Sequence, residues 1–227
     1  MTYRITSAYL LKNLHIKIKS TVGTGFKAPS LFQLYSEYGS GALEPEQSLG
    51  WDIGVEQTLW ANRISFGVTW FGNYFSNLID YKQVDSVTWK YQNVVEAQTG
   101  GAEVNASLQP INDLKLQANY TFMDTENKTT KQELLQRPRH KVKASCTYRL
   151  LNRADIGLDF MYIDKRYDFG SVKLDAYKLV NLSVSYDVSA NLSIFSRVDN
   201  VLNEKYEEVA GYGVPGTSGF AGFKLTF

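Results

Sequence analysis

Residues 180–188 read Val-Asn-Leu-Ser-Val-Ser-Tyr-Asp-Val, a strict alternation of apolar and polar side chains. Residues 141–150 (Lys-Val-Lys-Ala-Ser-Cys-Thr-Tyr-Arg-Leu) and 113–122 (Asp-Leu-Lys-Leu-Gln-Ala-Asn-Tyr-Thr-Phe) repeat the same rhythm. Successive side chains of a β-strand point to opposite faces, whereas a helix brings its apolar residues together at spacings of three and four. The three segments therefore predict β-strands with one apolar and one polar face.

The same alternation extends along most of the chain. It recurs in residues 102–109 and 153–162 and, less regularly, in residues 14–22, 51–59, 63–72 and 192–199. We count about eleven strands, most of them roughly nine to eleven residues long, which is the length that crosses a bilayer at about 45° of tilt. The sequence therefore predicts an all-β, antiparallel protein.

The predicted connections alternate between short and long. Tight turns are expected at residues 12–13, 61–62, 110–112, 151–152 and 189–190, and long polar or Gly-rich loops at residues 24–46, 80–96, 125–138, 164–176 and 202–218. In a meander every second connection lies on the same side of the sheet. All short turns then fall on one side and all long loops on the other, an asymmetry typical of outer-membrane barrels.

Composition excludes several other classes of protein. The chain has 227 residues with 24 Lys+Arg against 23 Asp+Glu, so its net charge of +1 offers no electrostatic basis for binding nucleic acid. The single Cys146 excludes a disulfide framework and a cysteine metal cluster. No stretch reaches 18 consecutive apolar residues, so a transmembrane helix is excluded. His15 and His140 are isolated and no nucleophile motif is present, so neither a metal site nor an enzyme is predicted.

Two interpretations fit the alternation. In a soluble sandwich the apolar face is the core, whereas in a membrane barrel it meets lipid and the charged face lines the lumen. Strand length, the one-sided loops and aromatic residues near the ends of the apolar faces favour lipid. Those aromatic residues are Tyr120, Phe122, Phe160, Tyr162, Trp51 and Trp70. On this interpretation Lys141, Lys143, Arg149, Asp155 and Asp159 face the lumen.

The last strand carries a signal of its own. Residues 221–227 read Ala-Gly-Phe-Lys-Leu-Thr-Phe and alternate up to the final residue. This resembles the terminal Gly-x-x-apolar-x-apolar signal that the barrel-assembly machinery reads, with Gly222, Leu225 and Phe227 as the matching residues. Ala221 departs from it, since the residue before the glycine is usually polar.

Two longer segments resemble TonB-dependent outer-membrane receptors. Residues 23–46 contain Gly-Phe-Lys-Ala-Pro followed by Leu-Glu-Pro-Glu, and residues 199–216 contain Asp-Asn-Val-Leu-Asn-Glu-Lys-Tyr followed by Pro-Gly. They are similar to the Gly-Phe-Lys/Arg-Ala-Pro…Leu-x-Pro-Glu and Asn-Leu-Phe-Asp/Asn-Lys-x-Tyr…Pro-Gly segments of that family. The resemblance spans the whole chain and is nearest to the cobalamin and catecholate siderophore receptors.

The resemblance implies an antiparallel transmembrane β-barrel in which residues 1–227 supply about eleven C-terminal strands of a 22-strand barrel. The plug domain, the signal peptide and the TonB-contacting segment of the family have no counterpart in this sequence. About eleven strands could not close a barrel without a parallel seam, and bacterial barrels use even numbers of antiparallel strands. The expectation is therefore a partial receptor barrel without its plug.

The function implied by the resemblance is TonB-dependent active transport of a scarce, bulky ligand, an iron–siderophore or cobalamin. Expected partners are outer-membrane lipid, the ligand, the barrel-assembly machinery and, through the missing plug, the TonB complex. The bacterial outer membrane is the expected location. Loop aromatics that could offer flat apolar surface to the ligand are Tyr35, Tyr38, Trp89 and Tyr91. A small self-standing porin or barrel enzyme and a soluble β-protein remain as alternatives.

Overall fold

A computed structural model describes the backbone of residues 1–227 and the side chains of all of them except residues 94 and 95. In chain order, the strands are β1 (Arg4–Leu11), β2 (Ile16–Lys27), β3 (Glu46–Leu59), β4 (Ile64–Gln83), β5 (Trp89–Ile111), β6 (Leu114–Asn127), β7 (His140–Leu150), β8 (Ala154–Ile163), β9 (Arg166–Tyr167), β10 (Lys173–Leu174), β11 (Tyr177–Ser189), β12 (Leu192–Asp199), β13 (Glu207–Val209), β14 (Tyr212–Gly213) and β15 (Ser218–Leu225). A short helix, α1 (Leu31–Tyr35), and 3-10 turns at Lys12–Leu14 and Phe169–Ser171 complete the secondary structure. No helix of the described structure has the length and apolarity that a membrane-spanning helix requires.

Eleven of the strands form one antiparallel sheet in the order β1-β2-β3-β4-β5-β6-β7-β8-β11-β12-β15. The pairs β9–β10 and β13–β14 are separate hairpins within two of the long connections. The predicted strand number, antiparallel meander and one-sided distribution of short turns are thus confirmed. Because neighbouring strands are antiparallel and their number is odd, the two edge strands, β1 and β15, run in the same direction.

One predicted loop is wrong. Residues 80–96 were expected to be a long polar loop, but β4 continues to Gln83 and β5 begins at Trp89. The two strands have 20 and 23 residues, well beyond the nine to eleven expected. The ladder continues because Tyr81 pairs with Tyr91 and Gln83 with Trp89, and aromatic side chains favour strands. Polar neighbours in the same stretch conceal this pairing in the sequence.

The register places one apolar face of each of the eleven strands on the same side of the sheet, although a few apolar residues, such as Phe71 and Leu179, lie on the other side. In the middle of the sheet Val184 pairs with Ile156, which pairs in turn with Tyr148. On the other face Arg149 forms ion pairs of 3.4 Å with both Asp155 and Asp187. Lys141, Lys143 and Asp159 lie on this second face too, since each is directly next in sequence to a residue of the apolar face. The predicted polar-face positions are confirmed.

Almost nothing in the described part of the protein covers the apolar face. Trp70 and Val184 are 49% and 39% exposed, and the small buried cluster of Ile163, Tyr177 and Leu179 lies at the long-connection end of the other face. A soluble sandwich would pack a second sheet onto its apolar face. A single sheet with one exposed apolar face and one polar face is instead the wall of a membrane barrel. Near the end of the apolar face, the Tyr120 ring stacks on the His140 ring. The Tyr120 hydroxyl also forms a 2.8 Å hydrogen bond with Nδ1 of His140.

The two faces predict different tolerance to charge. Val184→Lys places an ammonium group in the apolar band and is expected to destabilise the assembled sheet by about 2–4 kcal/mol. Ser185→Lys, one residue along the same strand, places it on the polar face opposite Asp155 and is expected to be close to neutral. The measurement is the amount of each variant recovered in the outer-membrane fraction. Equal recovery of the two variants would contradict this assignment of the faces.

Candidate functional site

The candidate site lies at the end of the sheet that carries the long connections. Strand β4 pairs with β3 only as far as Ser76, and β5 pairs with β6 only from Ala97. The hairpin between them, residues 77–95, therefore projects beyond its neighbours. At its tip the Asp85 carboxylate accepts hydrogen bonds from the backbone N–H groups of Val87 (2.9 Å) and Thr88 (2.8 Å). These hydrogen bonds lower the pKa of Asp85 and close the turn.

Aromatic side chains from three parts of the chain meet around Tyr81 on this hairpin. The Tyr81 ring centroid lies 5.1 Å from that of Tyr91 and 5.5 Å from that of Trp89. It also contacts Tyr38 of the β2–β3 connection at 5.8 Å and Phe169 of the β8–β11 connection at 6.4 Å, both edge to face. We call these five residues, with Phe32 at 6.2 Å from Tyr91, the aromatic cluster. Separations of this size are those of attractive ring pairs.

Three of the four predicted loop aromatics, Tyr38, Trp89 and Tyr91, belong to the aromatic cluster. Trp89 and Tyr91 lie on strand β5, so their expected position in a loop is wrong for the reason given above. Tyr35, the last residue of α1, is 77% exposed and makes no ring contact within the part of the chain that the structure describes.

Sequence reasoning missed Tyr81 and Phe169. Tyr81 was detectable, because a turn centred on Ser86 places it directly opposite Tyr91. Phe169 approaches Tyr81 from 88 positions later in the sequence, and no local pattern reports such a contact.

The cluster keeps an open side. Tyr38 is 40% exposed and Phe169 is 43% exposed, whereas Tyr81 is partly buried between them. The backbone also holds Tyr38 in place, since its carbonyl accepts a 2.9 Å hydrogen bond from the Tyr91 N–H. A hydrogen bond with Glu37 raises the pKa of Tyr38, so its phenol stays neutral at physiological pH. The arrangement can therefore present neutral, flat aromatic surface to a bulky ligand.

The Leu-Glu-Pro-Glu segment anchors the projecting hairpin. Asn93 accepts a 2.9 Å hydrogen bond from the Glu44 N–H and donates to the carbonyl groups of Glu44 (3.0 Å) and Asn77 (2.6 Å). Asn77, which has a left-handed φ of 58°, donates from its side chain to the Glu44 carboxylate at 2.8 Å. Asparagine tolerates that conformation better than most residues. This network fixes the angle at which the hairpin leaves the sheet.

Glu46 is a second anchor, and only 8% of it is exposed. One carboxylate oxygen accepts from the backbone N–H of Ile79 at 3.0 Å and the other accepts from the Lys27 ammonium at 3.1 Å. Lys27 belongs to the Gly-Phe-Lys-Ala-Pro segment and Glu46 ends the Leu-Glu-Pro-Glu segment. The two halves of this motif thus meet each other and the hairpin, which gives the motif a structural role.

The motif of residues 199–216 is structural as well. Asn200 is 5% exposed with φ of 52°, and its side chain donates to the Glu204 carbonyl (2.9 Å) and accepts from the Glu204 N–H (2.8 Å). The Asn203 side chain accepts from the Thr217 N–H at 3.2 Å. Tyr206 stacks on Tyr177 with ring centroids 4.1 Å apart. Burial, reinforced by the nearby Glu208 charge, raises the pKa of Tyr206.

The remaining predicted positions have defined places. Gly222 lies on edge strand β15, where an added Cβ would approach Phe195 Cζ to 2.6 Å, so any other residue would displace that ring. Leu225 pairs with Leu192 on the apolar face, and Phe227 follows the strand. His15 and His140 lie at opposite ends of the sheet. No group of three or more His, Cys, Asp or Glu residues is placed to hold a metal ion in the described structure.

The family model described as "TonB dependent receptor-like, beta-barrel" matches residues 1–201 of this chain. The chain belongs to the TonB-dependent receptor family.

Solved structures of this family have the same fold. The ferric enterobactin receptor PfeA of Pseudomonas aeruginosa superposes with a TM-score of 0.83 at 21% identity, over 100% of this chain and 40% of that one. The copper transporter OprC gives a TM-score of 0.85 at 16% identity, over 99% and 39% of the two chains. The siderophore receptor PirA of Acinetobacter baumannii gives 0.82 at 17% identity, over 100% and 41%. This chain therefore spans about two fifths of the length of these structures.

TonB-dependent receptors are transport receptors of the outer membrane rather than enzymes. The described strands form part of such a receptor's barrel, and the segments between consecutive strands of the sheet are its connections. The aromatic cluster lies at the same end of the sheet as every long connection. That end of an outer-membrane barrel is extracellular.

The anchors of the hairpin can be tested by substitution at Glu46. Glu46→Ala leaves the Ile79 N–H without its acceptor and is expected to cost about 1–3 kcal/mol in the free energy of unfolding. Glu46→Gln keeps an acceptor and loses only the pair with Lys27, whose side chain is 63% exposed, so a cost below about 1 kcal/mol is expected. Urea unfolding followed by tryptophan fluorescence measures both. Equal losses would contradict the assigned role of the Ile79 hydrogen bond.

Proposed function

We propose that this chain is the C-terminal part of a receptor barrel that imports an iron–siderophore across the bacterial outer membrane, and that the aromatic cluster is part of its extracellular ligand-binding surface. The observation that carries the proposal is the convergence of Tyr38, Trp89, Tyr91 and Phe169 on Tyr81 at the extracellular end of the wall. Membership of the TonB-dependent receptor family supplies the transport function.

The chemistry of the cluster favours a ligand with flat, apolar parts. Aromatic pairs add to the free energy of burial when ring faces or edges meet. A catecholate siderophore presents several such rings around its iron. Among the structures that share the fold, PfeA is a ferric enterobactin receptor and PirA is a siderophore receptor. Cobalamin, whose macrocycle also has large apolar faces, is the second candidate ligand.

Coupling to energy would need parts of a receptor that lie outside these eleven strands. A plug in the lumen would contact the polar face, where Lys141, Lys143 and Asp159 lie, and would pass force from the TonB complex. Lipid would cover the apolar face, and the barrel-assembly machinery would recognise β15 through Gly222, Leu225 and Phe227. A self-standing porin or barrel enzyme is less favoured, because two open edges of the same direction cannot join in an antiparallel seam.

The test compares two tyrosines of the same end of the receptor. Tyr81→Ala removes the centre of the aromatic cluster and is expected to weaken binding of ferric enterobactin by about tenfold or more. Tyr35→Ala removes an exposed ring outside the cluster and is expected to change the affinity less than about twofold. Binding is measured on cells that produce the receptor containing this chain, with surface labelling to equalise receptor number.

A second arm of the same experiment uses cyanocobalamin as the probe. Saturable binding of cyanocobalamin with the same dependence on Tyr81, and none of ferric enterobactin, would assign cobalamin as the ligand. Unchanged affinity for both probes in Tyr81→Ala would contradict the assignment of the aromatic cluster to ligand binding.

A further inference from the structure

The most completely buried side chain named among the described residues is a carboxylate. Asp168 is 1% exposed and lies in the β8–β11 connection, between hairpin strand β9 and the turn Phe169–Ser171. Burying a carboxylate is costly unless hydrogen bonds replace the water that it loses. The partners of Asp168 therefore indicate what this residue holds together.

Those partners come from three separate extracellular connections. Oδ1 of Asp168 accepts hydrogen bonds from Gln136 Nε2 (2.7 Å) and from the backbone N–H of Phe169 (2.8 Å). Oδ2 accepts from the backbone N–H of Ala210 at 2.7 Å. Gln136 lies between β6 and β7, Phe169 between β8 and β11, and Ala210 between β12 and β15. One carboxylate thus bridges segments that are 32 and 42 residues away from it in sequence.

Backbone and charged groups reinforce the same junction. The Gln136 N–H donates to the Tyr167 carbonyl at 2.7 Å. The Arg166 guanidinium, 7% exposed and placed over the Tyr177 ring, donates to the carbonyl groups of Glu207 and Glu208. Burial raises the pKa of Asp168, but the hydrogen bonds from Ala210, Gln136 and Phe169 and the Arg166 charge outweigh it, so the net shift is downward. Asp168 is therefore ionised at physiological pH.

The junction also sets the position of the next residue. The Asp168 N–H donates to the Val172 carbonyl at 2.7 Å and closes a tight turn in which Gly170 has φ of 69°. Phe169 lies at the start of this turn, with its ring edge to face against Tyr81. The only member of the aromatic cluster from this connection is thus covalently adjacent to the buried carboxylate.

We propose that Asp168 is a positioning residue that joins three extracellular connections into one unit and thereby presents Phe169 to the ligand surface. The part concerning the ligand rests on the proposed function. The joining of the three connections stands on the geometry alone, so the two parts can be tested separately.

Hydrogen exchange of individual backbone amides tests the joining. Asp168→Ala is expected to raise the exchange rate at least about tenfold at Phe169 and Ala210, whose N–H groups lose their acceptor. The same rise is expected at Gln136, because its N–H bond to the Tyr167 carbonyl loses the support of the Gln136 side chain on Asp168. Asp164→Ala is the matched control, since among the described residues the Asp164 side chain accepts only from its neighbours Tyr162 and Lys165, and its loss should affect those alone. Faster exchange confined to Phe169 in Asp168→Ala would overturn the proposal.

Asp168→Asn tests the two carboxylate oxygens separately. It also replaces the alanine variant if that variant does not assemble. An asparagine that keeps its oxygen toward Gln136 and Phe169 turns its NH₂ group toward the Ala210 N–H, where two donors face each other. Exchange at Ala210 is then expected to rise more than exchange at Phe169. Unchanged protection at both Ala210 and Phe169 would overturn the proposal, since the asparagine can offer its single oxygen to only one of the two sides.

A double-mutant cycle tests the link to ligand binding, with ferric enterobactin as the probe. Asp168→Asn is expected to weaken binding about threefold or more in the original receptor and to have little further effect beside Phe169→Ala. Additive losses would mean that Asp168 does not act through Phe169. If Tyr81→Ala and Phe169→Ala leave affinity unchanged, the proposed function fails, while the exchange experiment still decides whether Asp168 joins the three connections.

Discussion

The fold depends on the requirement that every peptide group inside a bilayer find its hydrogen-bond partner within the protein. Eleven antiparallel strands meet this requirement along the sheet, and their side chains then divide between lipid and lumen by the period of two. Only the outer edges of β1 and β15 lack a neighbouring strand in the sheet order. Because these edges run in the same direction, antiparallel closure requires an odd number of further strands.

The same constraint separates the two ends of the molecule. Strands β4 and β5 continue beyond the part of the sheet whose apolar face meets lipid. There the hydrogen bonds of polar side chains hold the hairpin in place. Glu46, Asn77 and Asn93 hold the projecting hairpin, and Asn200 and Asp168 hold the later connections. The two sequence segments that resemble the family therefore stabilise the scaffold around the candidate ligand surface, and only Phe32 and Tyr38 among the rings of the aromatic cluster belong to them.

Local periodicity was sufficient to predict the strand number, the antiparallel order and the side of the sheet on which Lys141 or Asp159 lies. It failed in residues 80–96, where polar and aromatic residues are mixed without regular alternation, because a polar strand and a polar loop look alike in sequence. It could not detect Phe169 or Asp168 either. Their roles come from contacts with residues many strands away, which are set by the register of the whole sheet rather than by neighbours in the chain.

The native Cys146 offers the most direct test of the membrane-barrel account. It lies on the apolar face, paired with Leu158 and Leu116, while the adjacent Ser145 lies on the polar face. The measurement is labelling with a water-soluble maleimide in intact outer membranes, comparing the native chain with a Ser145→Cys, Cys146→Ser variant. The account predicts that Cys146 stays unlabelled and that the cysteine at position 145 reacts. Rapid labelling of Cys146, with protection at position 145, would contradict the assignment of the apolar face to lipid.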